Sequence, residues 1–259
     1  MDPPPVPTTS ERSIPRPPSH RDGSPAPWAG LSAGLRSGLT LDRVRQSLED
    51  DRRDRSDRRT HEPWRTLAGR VMAGSPAAVL VALFEEEGLA RVVLTVRSDR
   101  LRSHRGEVAF PGGRIDGEES VVEAALREAA EEVALDPSLA TVIGELTPMP
   151  TVASNTVMTP VVAALDRRPE LTANPAEVGR IFDVALSDLV ADGVFHEEWW
   201  SVPGRMTALG LPDAEFPVWF FEVAGETVWG ATARTLMELV CLCLGVPFPL
   251  SWPAPDVDD

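Results

Sequence analysis

The sequence predicts an α+β sandwich, and three observations carry that reading. Short β-rich runs, led by "AAVLVALFEEE" and "ARVVLTVRS", flank a few helices in an order too irregular for a doubly wound sheet. "SVVEAALREAAEEVAL" repeats apolar residues at helical spacing, with Val121, Val122, Ala125, Leu126, Ala129 and Val133 on one face. The chain also has 259 residues, enough to bury a sizeable core without disulfides.

Residues 1–38 are rich in proline, serine, glycine and arginine, with nine prolines before Trp28. Such a segment buries too little apolar area to offset its ordering entropy. A disordered extension is therefore expected, whose deletion leaves turnover unchanged. A single domain is expected over 39–250, followed by an acidic tail, 251–259. "TLDRVRQSLEDDRRDRSDRR" starts a helix near Thr40 on Leu41, Val44 and Leu48, then passes into a charged stretch. The first two β-rich runs form a hairpin around Glu85–Gly88. "TVIGELTPMP", "MTPVVAAL", "VGRIFDVAL" and "FPVWFFEVAGETVWG" supply further strands, and "ATARTLMELVCLCLG" a second long helix. In that helix Cys241 and Cys243 are too close for an ordinary structural zinc pair, and they read as buried thiols in a reducing compartment.

All 25 basic residues are arginine, and the net charge is −15. That balance argues against nucleic acid or an anionic membrane as the main partner. No apolar run approaches the ~18 residues that span a bilayer, and the N-terminus lacks the order of a secretory signal. A cytoplasmic protein is the expectation. The acidity is uneven: residues 1–62 carry net +1 and residues 63–259 net −16. Within the acidic part, Arg91, Arg97, Arg100, Arg102, Arg105 and Arg114 make a local basic island. Guanidinium forks suit phosphate groups. Arg97 and Arg102 are the first candidates and others of the six read as strand-surface charges; His104 has no visible partner.

The segment that carries chemistry begins at "FPGGRIDGEES". Pro111 sets a rigid entry, and Gly112–Gly113 either lets the backbone approach a ligand or simply makes a turn. Asp116 with Glu119 has the spacing of a helix cap. On the helix, Glu128 and Glu132 stack at i, i+4 with Glu131 at i+3. Such like charges repel by about 0.2–0.5 kcal/mol per pair in water. A hard divalent cation, magnesium or manganese, reverses the sign, since both favour carboxylate and carbonyl oxygens. The bland alternative is a solvated acidic face. Arg127 follows Glu119 by eight residues and braces the helix start.

From Gly113 to Leu135 the chain resembles the box of the Nudix hydrolases, through Gly113, Glu119, Arg127-Glu128, Ala129, Glu131-Glu132 and Leu135. It departs at Ala134, where the family has glycine. Alanine there costs roughly 1 kcal/mol or more if it must take positive φ, and Asp136-Pro137 can still stop the helix. Upstream, Val93 to Gly113 resembles the segment that marks Nudix coenzyme A pyrophosphatases, with Thr95, Arg97, Ser98, Arg102, Gly106 and Phe110-Pro111-Gly112-Gly113 at the family spacing. Downstream the likeness runs to about Leu250, with Ser154-Asn155 where the family often has serine-glycine.

The resemblance implies a Nudix-type α/β/α sandwich with a mixed sheet. It implies Mg2+ or Mn2+ held by Glu128, Glu132, Glu131 and the Gly112 carbonyl. The implied reaction is hydrolysis of the diphosphate in a nucleoside diphosphate derivative. The leading substrate is coenzyme A or acyl-CoA, giving 3′,5′-ADP and (acyl-)4′-phosphopantetheine. Glu131, Glu128 or Glu177 of "NPAEV" would take the proton from water. Arg97, Arg102, Arg105 and Gly113 would contact the substrate, with Glu119 and Arg127 structural. ADP-ribose, NADH or nucleoside triphosphates are the alternative substrates, and a non-catalytic nucleotide-binding module is the alternative class. The expected partner is a small diphosphate, with a homodimer left open. Loops at Pro150–Thr159 and Phe195–Phe216 would shape selectivity, and His196 of "HEEWW" reads as surface.

Overall fold

The computed structural model describes residues 14–58, 75–151, 156–202 and 215–249. Strand β1 (His20–Asp22) and a one-turn helix α1 (Ala33–Arg36) precede α2 (Leu41–Arg58). The central part runs β2 (Ser75–Glu86), β3 (Leu89–Arg97), β4 (Val108–Ala109), β5 (Gly112–Arg114), α3 (Val121–Val133), β6 (Ala140–Glu145), β7 (Met149–Thr151) and β8 (Thr156–Leu165). It continues through β9 (Val178–Ala185), α4 (Leu186–Leu189), β10 (Phe195–Trp200), β11 (Phe216–Val223), β12 (Glu226–Trp229) and α5 (Gly230–Leu244).

The main sheet is mixed, in the order β4-β3-β2-β8-β6, with β5 also on β2, β7 on β8 and β9 on β3. β2 and β8 run parallel, and the other pairings are antiparallel. β2 is apolar at every position from Ala77 to Phe84, as a strand covered on both faces must be. Val79, Val81 and Leu83 face one core, and Ala78, Leu80, Ala82 and Phe84 the other. The first core is closed by Leu41, Val44 and Leu48 of α2 and by Leu236, Leu239 and Val240 of α5. The second is closed by Ala124, Ala125, Ala129 and Val133 of α3. This is the expected α/β/α sandwich. The β2–β3 hairpin turns on Glu87 and Gly88, at φ 55° and 74°, the positive pair that a two-residue hairpin turn favours.

A second sheet, β1-β10-β11-β12, corrects the expectation for residues 14–38. Residues 14–38 are placed by specific contacts. β1 pairs with β10, His20 opposite Trp200, and Trp28 is 1% exposed. Its ring lies 5.3 Å from Phe195, edge-on, and 6.3 Å from Phe221, stacked. "HEEWW" supplies the anchors. Glu197 accepts from the Ser24 amide at 2.9 Å and from the Trp199 and Trp219 indoles at 3.0 and 2.8 Å. Glu198 accepts from Arg16 Nε at 2.9 Å and Trp200 Nε1 at 2.7 Å. Gly23 is needed beside them, because a Cβ there would lie 2.5 Å from Glu197 Cγ. Both acids are buried, while His196 is half-exposed and stacks on Phe220. Residues 1–13, the tail 251–259 and Ser154–Asn155 lie outside the described residues.

Cys241 and Cys243 are free and buried, as expected, and burial pushes each thiol up to about 12. Among the described residues no helix is long and apolar enough to cross a membrane.

Candidate active site

Helix α3 is held at both ends by local chemistry. Ser120 is its N-cap: the hydroxyl accepts from the Glu123 amide, and the Glu123 carboxylate accepts from the Ser120 amide at 2.8 Å. That is a capping box, placed one turn later than the Asp116–Glu119 spacing suggested. Glu119 is drawn instead to Arg127 Nε at 2.7 Å and accepts from the Asp116 amide at 3.0 Å. The Arg127 hydrogen bond holds the Glu119 carboxyl below its ordinary pKa. Arg127 also reaches Glu128 at 3.1 Å, Glu131 at 3.2 Å and the Arg114 carbonyl at 3.1 Å. It thereby ties the glycine loop to the helix.

The helix ends on Ala134 at φ 55°, ψ 32°. A left-handed alanine is strained by about 1–2 kcal/mol, partly offset by the entropy an alanine removes from the unfolded chain. Ala134→Gly is therefore expected to stabilise the protein by about 0.5–1 kcal/mol in urea unfolding; destabilisation by a similar amount would contradict the strain.

Glu132 lies at the centre of the site, 3% exposed. Its Oε2 accepts from the Gly112 amide at 3.3 Å, and Oε1 lies 3.9 Å from Arg97 Nη1. Burial pushes its pKa up to about 7, against the pull of Arg97 and the Gly112 amide, and the charges of Glu177 and Glu128 add to the rise. Burial likewise raises Glu128, opposed by Arg127 and reinforced by Glu131 and Glu177. Glu128, Glu132 and Glu177 thus feel one another's charge. Glu177 arrives from the loop before β9, whose backbone is fastened to the end of β3: the Ser98 amide donates to the Glu177 carbonyl at 2.8 Å, and Ser98 Oγ to the Pro175 carbonyl at 3.2 Å. No local signal in the sequence marks that contact, because it joins residues 77 apart.

Gly112 is sterically required by backbone, whereas Gly113 leaves room for a carboxylate. A Cβ on Gly112 would sit 2.5 Å from the Ala78 carbonyl, where β5 pairs with β2; a Cβ on Gly113 would sit 2.3 Å from Glu128 Oε1. Gly113→Ala should displace only the mobile end of Glu128, leaving the melting temperature nearly unchanged. Turnover should then fall by up to about a hundredfold, the cost of a misplacement near 1 Å. Unchanged turnover would remove Glu128 from the machinery.

The remaining candidates are less converged. Arg97 Nε is buried without a hydrogen-bond partner among the described residues, a donor facing inward at the site's edge. Arg102 and Arg105 are exposed on the loop between β3 and β4, where Arg105 donates to the Leu101 carbonyl. Arg91 does not belong with them: it pairs with Asp183, bracing β3 to β9. Six residues along a strand separate it from Arg97 by about 20 Å. Glu131 is exposed and turned to Arg127. Among the described residues, no three His, Cys, Asp or Glu side chains are gathered closely enough to hold an ion as they stand. His104, expected to be unpartnered, has Nδ1 2.9 Å from Glu107 Oε2.

A glycine loop thus feeds a helix that carries one buried carboxylate, Glu132, with Glu128 half-buried a turn before it, packed on one face of a mixed sheet. The sequence matches the NUDIX domain family over residues 74–210, and the chain belongs to that family. It is 37% identical over 179 residues to the uncharacterized Nudix hydrolase NudL of Citrobacter koseri, covering 69% of this chain and 87% of that one. With NudL of Escherichia coli O7:K1 it shares 38% over 173 residues, 66% of this chain and 83% of the relative. Among solved structures, the Nudix hydrolase RenU of M. smegmatis aligns at a TM-score of 0.40 and 26% identity, over 46% of this chain and 74% of its own.

Proposed function

We propose that this Nudix pyrophosphohydrolase cleaves the diphosphate of coenzyme A or acyl-CoA to 3′,5′-ADP and (acyl-)4′-phosphopantetheine, with Mg2+ or Mn2+ held at Glu128 and Glu132. The observation that carries the reading is a buried Glu132 that feels the charges of Glu128 and Glu177 and lies 3.9 Å from Arg97 Nη1. The residues fit a hard divalent cation. Their oxygens are the right donors, and a buried Glu132 under the repulsion of Glu128 and Glu177 needs a positive charge that Arg97, at 3.9 Å, supplies only weakly. Glu131 and the Gly112 carbonyl are assigned to complete the ligand set.

A divalent ion bound there would neutralise the diphosphate and lower the pKa of a bound water. The chain's own residues do the rest. Glu177, or Glu128 or Glu131, accepts the water's proton. Arg97, whose side chain is partly exposed, presents a guanidinium N–H to phosphate oxygen, a charge-assisted bond. Arg102, Arg105 and the bare backbone of Gly113 complete the substrate contacts. The coenzyme A assignment rests on the resemblance of Val93–Gly113, which comprises the end of β3, the arginine loop, β4 and the glycine turn. Two buried, reduced thiols favour a cytoplasmic setting.

The test is a panel of coenzyme A, acetyl-CoA, ADP-ribose, NADH and nucleoside triphosphates, with product masses read with and without Mg2+ or Mn2+. Coenzyme A or its thioester should yield 3′,5′-ADP only when metal is present. Cleavage of ADP-ribose or NADH with coenzyme A left intact would reassign the substrate. Binding of a nucleotide with no cleavage at all would make the protein a binding module.

A further inference from the structure

The loop between β3 and β4 carries Arg100, Arg102 and Arg105, and its two ends are well fixed. At its base the Arg97 amide donates to the Glu107 carbonyl at 3.0 Å and the Gly106 amide to the Arg97 carbonyl at 2.9 Å. Ser98 ties the same end to the Glu177 loop. The loop therefore leaves the sheet beside the box carboxylates. Its turn is made by two left-handed residues, His104 at φ 56° and Gly106 at φ 66°. Glycine takes that conformation freely, whereas histidine does so at a cost. What His104 contributes in return is its side chain: Nδ1 meets Glu107 Oε2 at 2.9 Å, closing a clasp across the turn between Arg102 and Arg105 on one side and β4 on the other.

We propose that the His104–Glu107 clasp is a positioning device that holds the arginine loop in the conformation that binds a diphosphate. It rests on the reading of Arg102 and Arg105 as substrate ligands. The Glu107 hydrogen bond raises the basicity of the imidazole, burial lowers it, and Arg97 opposes with its own charge. Glu107 thus serves Arg97 and the loop arginines indirectly, through His104, and touches no substrate itself.

Glu107→Gln removes a negative charge close to the anion site, so a simple charge effect tightens anion binding. A broken clasp weakens it. The experiment is calorimetric titration of inorganic pyrophosphate into the metal-free full-length chain, for wild type, Glu107→Gln, His104→Gly and Arg102→Ala, with melting temperatures in parallel. Glu107→Gln and His104→Gly should each weaken pyrophosphate binding by about three- to tenfold, as a lost positioning contact does. His104→Gly also relieves the left-handed strain, so its fold should persist. With a cleaved substrate the same variants should raise KM and leave kcat nearly unchanged.

Equal or tighter binding in Glu107→Gln and His104→Gly would overturn the clasp, as would a wild type that takes up no pyrophosphate. Weakened pyrophosphate binding in a protein that cleaves no diphosphate would leave the clasp standing and reject the hydrolase reading instead.

Discussion

Glu132→Gln should cut turnover by about a hundredfold or more and leave the protein folded. The glutamine keeps the volume and can keep the Gly112 contact, but it removes one carboxylate from the proposed cation site. The charge stabilisation lost is several kcal/mol, and about 1.4 kcal/mol corresponds to each tenfold in rate. Stability should move the other way. The folded pKa of Glu132, about 7, lies above its ordinary 4.5, chiefly through burial. Its contribution to stability is therefore complete below about 4.5 and is lost as pH rises through about 7. At pH 8 in chelator the wild type carries an ionised, buried carboxylate that glutamine does not have. The variant should then melt as high as the wild type or higher, by on the order of 2 kcal/mol at most. A variant that loses stability and activity together would mean that Glu132 is a packing residue. Retained activity with the same metal dependence would sink the ligand assignment.

Trp28→Ala is expected to lower stability by about 3–5 kcal/mol, the usual cost of truncating a buried tryptophan. That corresponds to roughly 10 °C of melting temperature in a domain of this size. Trp28 is sealed at 1% exposure between Phe195 and Phe221. Deleting residues 1–38 removes it together with β1 and the Arg16 and Ser24 contacts to Glu198 and Glu197. The truncated chain should therefore unfold easily and lose activity through instability, contrary to the expectation from composition. Thermal melts of both variants decide the matter, and a change below about 1 kcal/mol would return this segment to the status of a dispensable extension.

The contrast between these two residues shows what was legible in the chain. The surroundings of Glu132 could be read because they are set by helix geometry: Glu128 is one turn away, and Gly112 stands at a fixed spacing on the loop that feeds the same helix. The hairpin at Glu87–Gly88 and the two-sided strand β2 were legible for the same reason, since period and turn chemistry are local. Trp28 was hidden because the nine prolines around it describe an average, whereas its burial depends on single residues far along the chain. Ser24 and Glu197 are 173 positions apart. Glu177 was named as a candidate, but its fastening through Ser98 to the end of β3 was not legible. The basic island was only partly real: adjacency in sequence joined Arg91 to Arg97, and an extended strand separated them.

On the proposed function, Glu128 and Glu132 hold a divalent cation beside Arg97. Calorimetric titration of Mn2+ into the wild type and Glu132→Gln tests it most directly. The wild type should bind Mn2+ saturably, and Glu132→Gln should bind it at least tenfold more weakly, as the loss of one carboxylate ligand implies. Equal Mn2+ affinity in the two proteins would contradict the site.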